Sequence, residues 1–357
     1  MPSLEDTAAR LLVLPREAGT PESAAARDLI AAHLRSLGYD VAIQKFSFSP
    51  ASLRAFPLFG DGLGLLALVL LPLVASPGVP AWTAFLTWLG GVTLISVVAG
   101  GIGLGWVPLG EPPREDANLV VTRGSNRPRR WVVAHLDSKA QGHSMAGRLL
   151  AVWLSVLASL ALGLAALARL SGPLPLFWAA LGSALALVAG FLARRGRLKG
   201  RSRGARDNGS GIVALLAAAE ASHGGLGFLV TGAEEFGLVG ARVFVRLAPD
   251  LAASEFVNLD TIDDEGSMYL VSHDARGARL AQSMEPAVRD VGVPVRRRRL
   301  PLGIFVDSAP LARAGAPAIT IGRLTWNTLR RIHTAEDTPE GHSFRTAKAV
   351  GQAIALN

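Results

Sequence analysis

The pattern of apolar and charged positions divides the chain into two kinds of sequence. Residues 62–110, 149–168 and 170–193 contain no charged side chain. A bilayer-spanning helix needs about 20 apolar residues, and these runs are long enough for four such helices. We therefore predict two transmembrane α-hairpins, residues 56–106 and 148–193. Two core hairpins of a soluble protein are the alternative, but core helices of this length are seldom free of charge.

The remaining sequence alternates between short apolar runs typical of strands and longer amphipathic runs typical of helices. The predicted strands cover residues 41–48, 118–122, 131–134, 227–232, 255–260 and 317–322. The predicted helices lie within residues 3–37 and over residues 212–222, 237–247 and 344–356. This alternation predicts an α/β fold with a mostly parallel mixed sheet and helices on both faces.

The hairpins would interrupt this α/β fold twice. We predict one discontinuous domain made of residues 1–55, 107–147 and 194–357. Each insertion contains two spans, so the three pieces would lie on the same side of the membrane. The N-terminus has neither a basic nor an apolar segment, so no cleaved signal peptide is expected.

Composition and charge support a membrane protein. Of the 357 residues, 50% are apolar and only 18% are charged, against about 25% in soluble proteins. The formal net charge is +8, and the arginines and lysines concentrate in the segments that flank the hairpins. By the positive-inside rule these flanks face the cytoplasm. We therefore expect an integral membrane protein of the bacterial inner membrane type, with a cytoplasmic catalytic domain and the lipid bilayer as a partner.

Two basic features need a separate interpretation. Arg169 lies at the turn of the second hairpin, where its long side chain would extend to the lipid headgroups. The run from Arg296 to Arg299 is expected to lie on a solvated or headgroup-facing surface. No nucleic-acid recognition motif accompanies the basic residues, so nucleic acid is not expected as a partner. Cysteine is absent, which excludes disulfides, thiolate metal sites and cysteine nucleophiles.

Potential metal ligands follow the predicted strands or lie in the adjoining loops. They are His135, Asp207 in the glycine-rich bend 204–211, Glu234, Glu235, Asp260 and His333. In open α/β sheets, ligands bind beyond the carboxyl ends of the strands. Each residue alone has a structural explanation, such as a helix cap or a hydrogen-bonded histidine. Their common position instead favours one functional site.

At these positions the sequence resembles the co-catalytic zinc aminopeptidases, relatives of bacterial leucyl aminopeptidase, glutamate carboxypeptidase and glutaminyl cyclase. The matching blocks occur in the family's order. They are residues 135–138 (His-Leu-Asp-Ser), 204–211 (Gly-Ala-Arg-Asp-Asn-Gly-Ser-Gly), 232–238 (Gly-Ala-Glu-Glu-Phe-Gly-Leu), 258–260 (Asn-Leu-Asp) and 333–338 (His-Thr-Ala-Glu-Asp-Thr).

The resemblance implies two Zn²⁺ ions bridged by Asp207. It implies that His135 and Asp260 complete the first zinc site and that Glu235 and His333 complete the second. In the same way, Glu234 would be the general base, and Asp137 would support the site beside His135.

The resemblance also implies an activity. We expect an aminopeptidase that hydrolyses N-terminal peptide bonds of a peptide substrate through a metal-bound hydroxide. A carboxypeptidase or acyltransferase of the same fold, or a scaffold without catalysis, are the alternatives. Nothing in the sequence specifies an oligomeric state.

Two features depart from the family's pattern. The second predicted hairpin separates His135 from Asp207, which the family usually joins by a short loop, so we expect the site close to the membrane. The only tyrosines are Tyr39 and Tyr269, and neither lies in a matching block, so the oxyanion donor is unassigned.

Other polar residues have weaker claims on the site. Asp307 and Ser308 resemble a segment that lines the site in the family, although they could also cap a helix. The histidines outside the matching blocks are expected to be structural or on the surface. They are His33, His143, His223, His273 and His342.

Overall fold

The computed structural model describes residues 3–107, 109–124, 127–172, 174–248 and 250–356. The chain divides into two compact units. The first consists of Met1–Phe48, Pro113–Ala140 and Gly200–Asn357, and the second of Ser49–Pro112 and Gln141–Lys199. The predicted domain boundaries differ from these limits by a few residues at each crossing and remain a prediction.

The first unit contains eight strands and eight α-helices among its described residues. The strands are β1 (Asp40–Phe48), β2 (Arg114–Thr122), β3 (Arg130–His135), β4 (Leu226–Thr231), β5 (Glu255–Ile262), β6 (Ser267–Ser272), β7 (Val295–Arg299) and β8 (Ala318–Leu324). The helices are α1 (Leu4–Leu12), α2 (Pro21–Ser36), α7 (Ser210–Ala221), α8 (Val239–Leu247), α9 (Ala275–Arg289), α10 (Ser308–Arg313), α11 (Trp326–Arg331) and α12 (Arg345–Leu356).

All eight strands form one sheet in the order β1-β2-β4-β3-β5-β8-β6-β7. The four central strands, β4, β3, β5 and β8, are parallel to one another. The pairs β1–β2, β2–β4 and β8–β6 are antiparallel, whereas β6–β7 is parallel. The predicted mixed α/β fold is therefore confirmed.

Helices cover both faces of the sheet, because the central strands are apolar on both sides. Val132 packs in the cluster that contains side chains of α1, α2, α7, α9 and α12. The next residue, Val133, packs on the opposite face with Phe244 of α8 and Leu311 of α10. Strands buried on both faces are continuous apolar runs, which explains why residues 131–134 predict a strand so clearly.

Three elements between residues 267 and 299 were missing from the sequence prediction: β6, α9 and β7. The strand β7 includes the four arginines from Arg296 to Arg299, and all four are exposed at the edge of the sheet. Charged side chains on an edge strand oppose pairing with other chains. The basic run is thus exposed, as a solvated or headgroup-facing surface requires, but its backbone is paired with β6.

The second unit contains α3 (Ala55–Ala75), α4 (Ala81–Gly103), α5 (Met145–Ala168) and α6 (Leu176–Arg194). All four helices are long and apolar enough to cross a membrane. In its most apolar 18-residue stretch, α4 has only 11% of its residues buried, and large apolar side chains such as Leu86, Leu94 and Val97 are exposed. Such a surface suits hydrocarbon, and the transmembrane role of the four helices remains a prediction.

Small residues allow α3 and α6 to pack closely. A Cβ atom on Gly60 would lie 2.7 Å from the carbonyl oxygen of Gly190, and one on Gly190 would lie 2.5 Å from that of Gly60. Any larger residue would force the two backbones apart. Close approach at small residues is typical of helices that associate in membranes, where apolar side chains have no preference for each other over lipid.

The second hairpin differs from its prediction in two ways. Residues 169–171 form a short 3₁₀ turn and α6 begins at Leu176, so the predicted span 170–193 starts too early. Part of its predicted turn, Pro173, lies outside the described residues. In addition, Arg169 is only 6% exposed and its Nη2 donates to the carbonyls of Ser76, Pro77 and Val79. These carbonyls take the place of the predicted headgroups as partners of Arg169.

Candidate metal centre

Three neighbouring parallel strands carry predicted site residues at or just beyond their carboxyl ends. His135 is the last residue of β3, Glu234 and Glu235 follow β4, and Asp260 lies near the end of β5. Because β4, β3 and β5 are adjacent and parallel, their carboxyl ends meet at the same edge. The sheet topology therefore brings together residues that lie 125 positions apart in sequence (260 − 135).

The sequence predicted that Asp260 is the last residue of its strand, and this is wrong. The strand β5 continues to Ile262, and its pairing with β8 shifts register between Leu259 and Ile262. Thr261, directly after Asp260, has a left-handed backbone with φ of 56°. A bulge of this kind changes the direction of a side chain within a strand. The irregularity coincides with the one residue of β5 predicted to bind metal.

Backbone strain recurs beside the other predicted ligands. Ala233, which precedes Glu234, has φ of 52°, and His333 itself has φ of 66°. Non-glycine residues in this region cost of order 1–3 kcal/mol each and cluster at functional sites.

Asp207 lies in the turn Ala205–Gly209, directly before α7. Asn208 attaches this turn to β5, because its Nδ2 donates to the carbonyl of Leu259 and its Oδ1 accepts from the backbone N–H of Thr261. Asn208 Oδ1 also accepts from Gly211 N. The helix-capping function that could have explained Asp207 is therefore performed by its neighbour.

Asp337 fixes the other side of the turn. Its two carboxylate oxygens accept from the backbone N–H groups of Arg206 and Asp207 at 2.9 and 3.0 Å. Burial raises the pKa of Asp337 to about 6 and outweighs these two bonds, which favour the charged form. Since Asp337 is four residues from His333, one loop both contributes a predicted ligand and positions another.

Arg16 supports the bend from inside the protein. Its side chain is fully buried and donates to four backbone carbonyls, those of Leu14, Leu136, Arg203 and Gly204. Leu136 follows His135, and Gly204 begins the bend that contains Asp207. One guanidinium thus ties together the two segments that the second hairpin separates in sequence.

Asp137 organises the neighbouring residues without joining either donor group. Its carboxylate oxygens accept from the backbone N–H groups of Glu234 and Glu235, both at 3.0 Å. Its carbonyl oxygen lies 3.0 Å from His135 Nδ1. A carbonyl can only accept, so Nδ1 carries the proton and Nε2 presents its lone pair to the site.

The six remaining predicted residues come together, and five of them form two groups that share Asp207. The first group is His135, Asp207 and Asp260, and the second is Asp207, Glu235 and His333; within each group the potential ligand atoms lie within 4.8 Å of one another. His135 Nε2 is 3.2 Å from Asp207 Oδ1, and His333 Nε2 is 3.1 Å from Asp207 Oδ2. Asp207 therefore presents one oxygen to each group, which is the arrangement of a bridging carboxylate.

The donor atoms fit zinc. Ligands about 2.0 to 2.1 Å from a tetrahedral zinc ion lie about 3.3 Å from each other. Two further separations are 3.9 Å between His135 Nε2 and Asp260 Oδ1, and 3.4 Å between His333 Nε2 and Glu235 Oε1. Glu235 Oε1 is buried and has no hydrogen-bond partner. A buried carboxylate oxygen without a donor is costly, and a cation would satisfy it.

The charges of the site are strongly coupled. Burial raises the pKa of Asp207, but hydrogen bonds from His135 and His333 outweigh it, so the pKa lies far below the usual value. Burial likewise lowers the pKa of His135, yet Glu234 and the carboxylates around the ring raise it well above the usual value. Without a metal ion, a proton on His135 offsets part of the negative charge of these carboxylates, and a bound dication would take its place and leave Nε2 with its lone pair.

Glu234 differs from the five donors because it belongs to neither group among the described residues. Its side chain is buried, and burial followed by the charges of Glu235, Asp307 and Asp260 raises its pKa well above the usual value, against the opposing effect of His135. A bound dication would lower this pKa again. Glu234 is thus a carboxylate next to the donors that is free to exchange a proton.

The other candidates lie outside both donor groups. Asp307 is fully buried and accepts from Thr231 Oγ1, and burial raises its pKa to about 7. Ser308 bonds His273 Nε2 at 2.8 Å and Thr320 at 2.6 Å. None of the five other histidines of the chain belongs to a donor group in the described ranges.

Sequence reasoning missed Lys139, Asp337 and Arg16. Lys139 follows the block 135–138 directly, and its Nζ lies 2.5 Å from Glu235 Oε2. Its position directly after a block that matches the family was a signal that could have been used. Asp337 lies within the block 333–338, whereas nothing local distinguishes Arg16 from a surface arginine.

Part of the chain is similar to a known protein family. Residues 181–357 match the model of Peptidase family M28. No curated protein matches the sequence.

Several solved structures share the fold at low sequence identity. A glutaminyl cyclase from Fimbriiglobus ruber is 14% identical, with a TM-score of 0.57 over 99% of this chain and 94% of the other. An aminopeptidase from Aneurinibacillus sp. strain AM-1 is 15% identical, with a TM-score of 0.56 over 98% and 92%. The zinc aminopeptidase BSAP from Bacillus subtilis is 16% identical, with a TM-score of 0.55 over 99% and 94%.

The fold is thus that of the zinc exopeptidases. Together with the M28 match it confirms the resemblance to the co-catalytic zinc aminopeptidase family, and it supports a zinc exopeptidase-like function.

Proposed function

We propose that this protein is a membrane-embedded dinuclear zinc exopeptidase, and specifically an aminopeptidase. The observation that carries the proposal is the pair of donor groups that share Asp207, with Glu234 outside both. Three carboxylates and two imidazoles offer hard oxygen and borderline nitrogen donors, which suit zinc. His135, Asp207 and Asp260 would hold one ion, and Asp207, Glu235 and His333 the other.

Bound zinc would supply a Lewis acid that polarises the scissile carbonyl and activates water near neutral pH. The chain itself would supply the proton transfers. The Glu234 carboxylate would accept the proton of the attacking water and donate it to the nitrogen of the leaving amine. The carboxylate of Asp137 would hold Glu234 in place by accepting from the backbone N–H of Glu234. The carbonyl of Asp137 would keep Nε2 of His135 directed at the other donor residues.

Hydrolysis of unblocked peptides in a zinc-dependent manner is the expected activity. Purified full-length protein in detergent should contain about two zinc ions per chain and release N-terminal residues from aminoacyl amides, and N-acetylated versions of the same amides should resist. A chelator should abolish the activity and added zinc should restore it. His223→Ala, which changes an exposed histidine outside both groups, serves as the matched control and should retain zinc and activity.

The alternatives give different products with peptide substrates, including one that begins with glutamine. Release of C-terminal residues would indicate a carboxypeptidase. Cyclisation of N-terminal glutamine without hydrolysis would indicate an acyl transfer of the glutaminyl cyclase type. Zinc content near zero would contradict the metal centre, and zinc-free protein without activity would leave a scaffold role.

The membrane orientation can be tested because the chain contains no cysteine. Gly78→Cys places a thiol in the turn of the first hairpin, and Gln282→Cys places one on the exposed surface of α9. A maleimide that cannot cross membranes should label Gly78→Cys in intact spheroplasts, because the positive-inside rule puts this turn outside the cytoplasm. Gln282→Cys should react only after permeabilisation. The reverse pattern would contradict a cytoplasmic catalytic domain.

A further inference from the structure

Lys139 forms an ion pair inside the candidate metal centre. Its side chain is only 2% exposed and its Nζ is 2.5 Å from Glu235 Oε2, whose side chain is 5% exposed. Lysines are almost never fully buried without a partner. The buried ammonium of Lys139 is paired with Glu235, which would also bind a zinc ion. The role of this ion pair in the metal centre therefore needs an explanation.

The simplest alternative is that the ion pair only stabilises the fold. Buried ion pairs often contribute little net stability, because desolvation offsets the attraction between the charges. Lys139, however, touches one of the five donor residues. That donor, Glu235, belongs to the second donor group and not to the first.

The two oxygens of Glu235 are therefore not equivalent. Oε2 is paired with the Lys139 ammonium, whereas Oε1 is buried without a hydrogen-bond partner and lies 3.4 Å from His333 Nε2. While the ion pair persists, only Oε1 is available to a metal. Glu235 would then bind zinc through one oxygen.

The positive charge also opposes the metal. At an effective dielectric constant of about 20, a unit charge and a dication a few ångströms apart repel by several kcal/mol, far more than a tenfold change in binding requires. The first donor group has no lysine or arginine in an ion pair with its carboxylates among the described contacts. The two metal positions consequently experience different electrostatic environments.

We propose that Lys139 is a positioning residue and an internal counter-ion that holds Glu235 to one-oxygen coordination and weakens zinc binding in the second donor group relative to the first. The inference rests on the proposed dinuclear site, and it adds an order of metal loading: the first group fills at lower zinc concentration than the second. Lys139 partly substitutes for the second ion when that ion is absent.

The test is calorimetric zinc titration of metal-free full-length protein, with a competing chelator to measure the tighter step. Wild type should show two steps with unequal dissociation constants. Lys139→Met should tighten the weaker step by about tenfold or more and leave the tighter step within about threefold. Lys139→Arg keeps the charge and should resemble wild type. With Co²⁺ in place of zinc, the visible spectrum should change only for the second ion.

Thermal unfolding provides a second readout. Lys139→Met leaves the Glu235 carboxylate unpaired, so the metal-free variant should melt several degrees lower than wild type, and saturating zinc should remove most of the difference. Arg27→Met breaks a different buried ion pair, with Asp116, and serves as the control. It should lower the melting temperature equally with and without zinc and should not alter the two binding steps.

Two results would overturn the proposal: unchanged binding of both ions by Lys139→Met, or loss of the second ion in that variant. The first would make the pair purely structural, and the second would make Lys139 a support for Glu235 without competition. Wild type that binds two ions but hydrolyses no peptide would overturn the proposed peptidase function alone, because the role of Lys139 is measured by binding. Wild type that binds no zinc would overturn both.

Discussion

Asp207→Asn should remove zinc from both donor groups at once. The amide has nearly the same shape but no negative charge, and it can present only one acceptor oxygen, so it cannot bridge two ions. We expect the affinity for zinc to fall by more than the 10 to 100-fold typical of changes beside a ligand, and the activity to fall below detection. Elemental analysis after dialysis against a weak chelator measures the zinc content.

The same variant distinguishes a metal ligand from a structural residue. The turn should persist in Asp207→Asn, because its bonds come from Asn208 and from Asp337, which binds the backbone N–H of residue 207. The metal-free variant should therefore keep a cooperative melting transition. Asp290→Asn, at an exposed position after α9, is the control and should keep full zinc. Full zinc content in Asp207→Asn would disprove the bridging role.

Glu234→Gln should have the opposite combination of effects, with zinc retained and catalysis lost. Glutamine cannot accept and return a proton, and general acid–base catalysis typically contributes 10²–10⁴-fold to rate. We expect kcat to fall by about this factor, with about two zinc ions still bound per chain. KM should change little, because the side chain is proposed to act on the reacting water and not on substrate binding.

Glu235→Gln is the matched comparison for this result. The two glutamates are adjacent, and their backbone N–H groups bind the two oxygens of the same Asp137 carboxylate. Only Glu235 belongs to a donor group, so Glu235→Gln should lose one zinc ion per chain. If Glu234→Gln lost zinc and Glu235→Gln kept it, the two roles would be reversed.

The central part of the fold could be predicted from the sequence because its signals are local. Residues 131–134 and 227–232 are apolar runs with turn residues on either side, as expected for strands buried on both faces. The structure places strands at Arg130–His135 and Leu226–Thr231. The charge-free runs are also local signals, and they predicted the long helices α3 to α6.

The edge of the sheet formed by β6 and β7 could not be predicted in this way. The strand β7 has the sequence Val-Arg-Arg-Arg-Arg, which contains no alternation of apolar and polar residues. It is extended because its backbone pairs with β6, and that pairing is a tertiary interaction. Tertiary context therefore outweighs local preference at this position.

The candidate site also combines residues that local sequence predicts with residues that only tertiary contacts reveal. The five proposed ligands could be named from short blocks of sequence, and the structure brings them together at one edge of the sheet. Asp137, which supports them, could also be named, but Arg16 and Lys139 could not, because they act through partners far away in sequence. The bulge at Asp260 also required coordinates, since it depends on the register between β5 and β8.

The order of the strands in the sheet differs from their order in the chain, and this affects biosynthesis. The strands β2 and β3 both pair with β4, and β4 begins only at Leu226, after the second hairpin. On the ribosome, β2 can pair with β1, but β2 and β3 must wait for β4 while the second hairpin is synthesised. We expect the nascent chain to recruit chaperones during this interval, and the sheet to close only when the last third of the polypeptide has emerged.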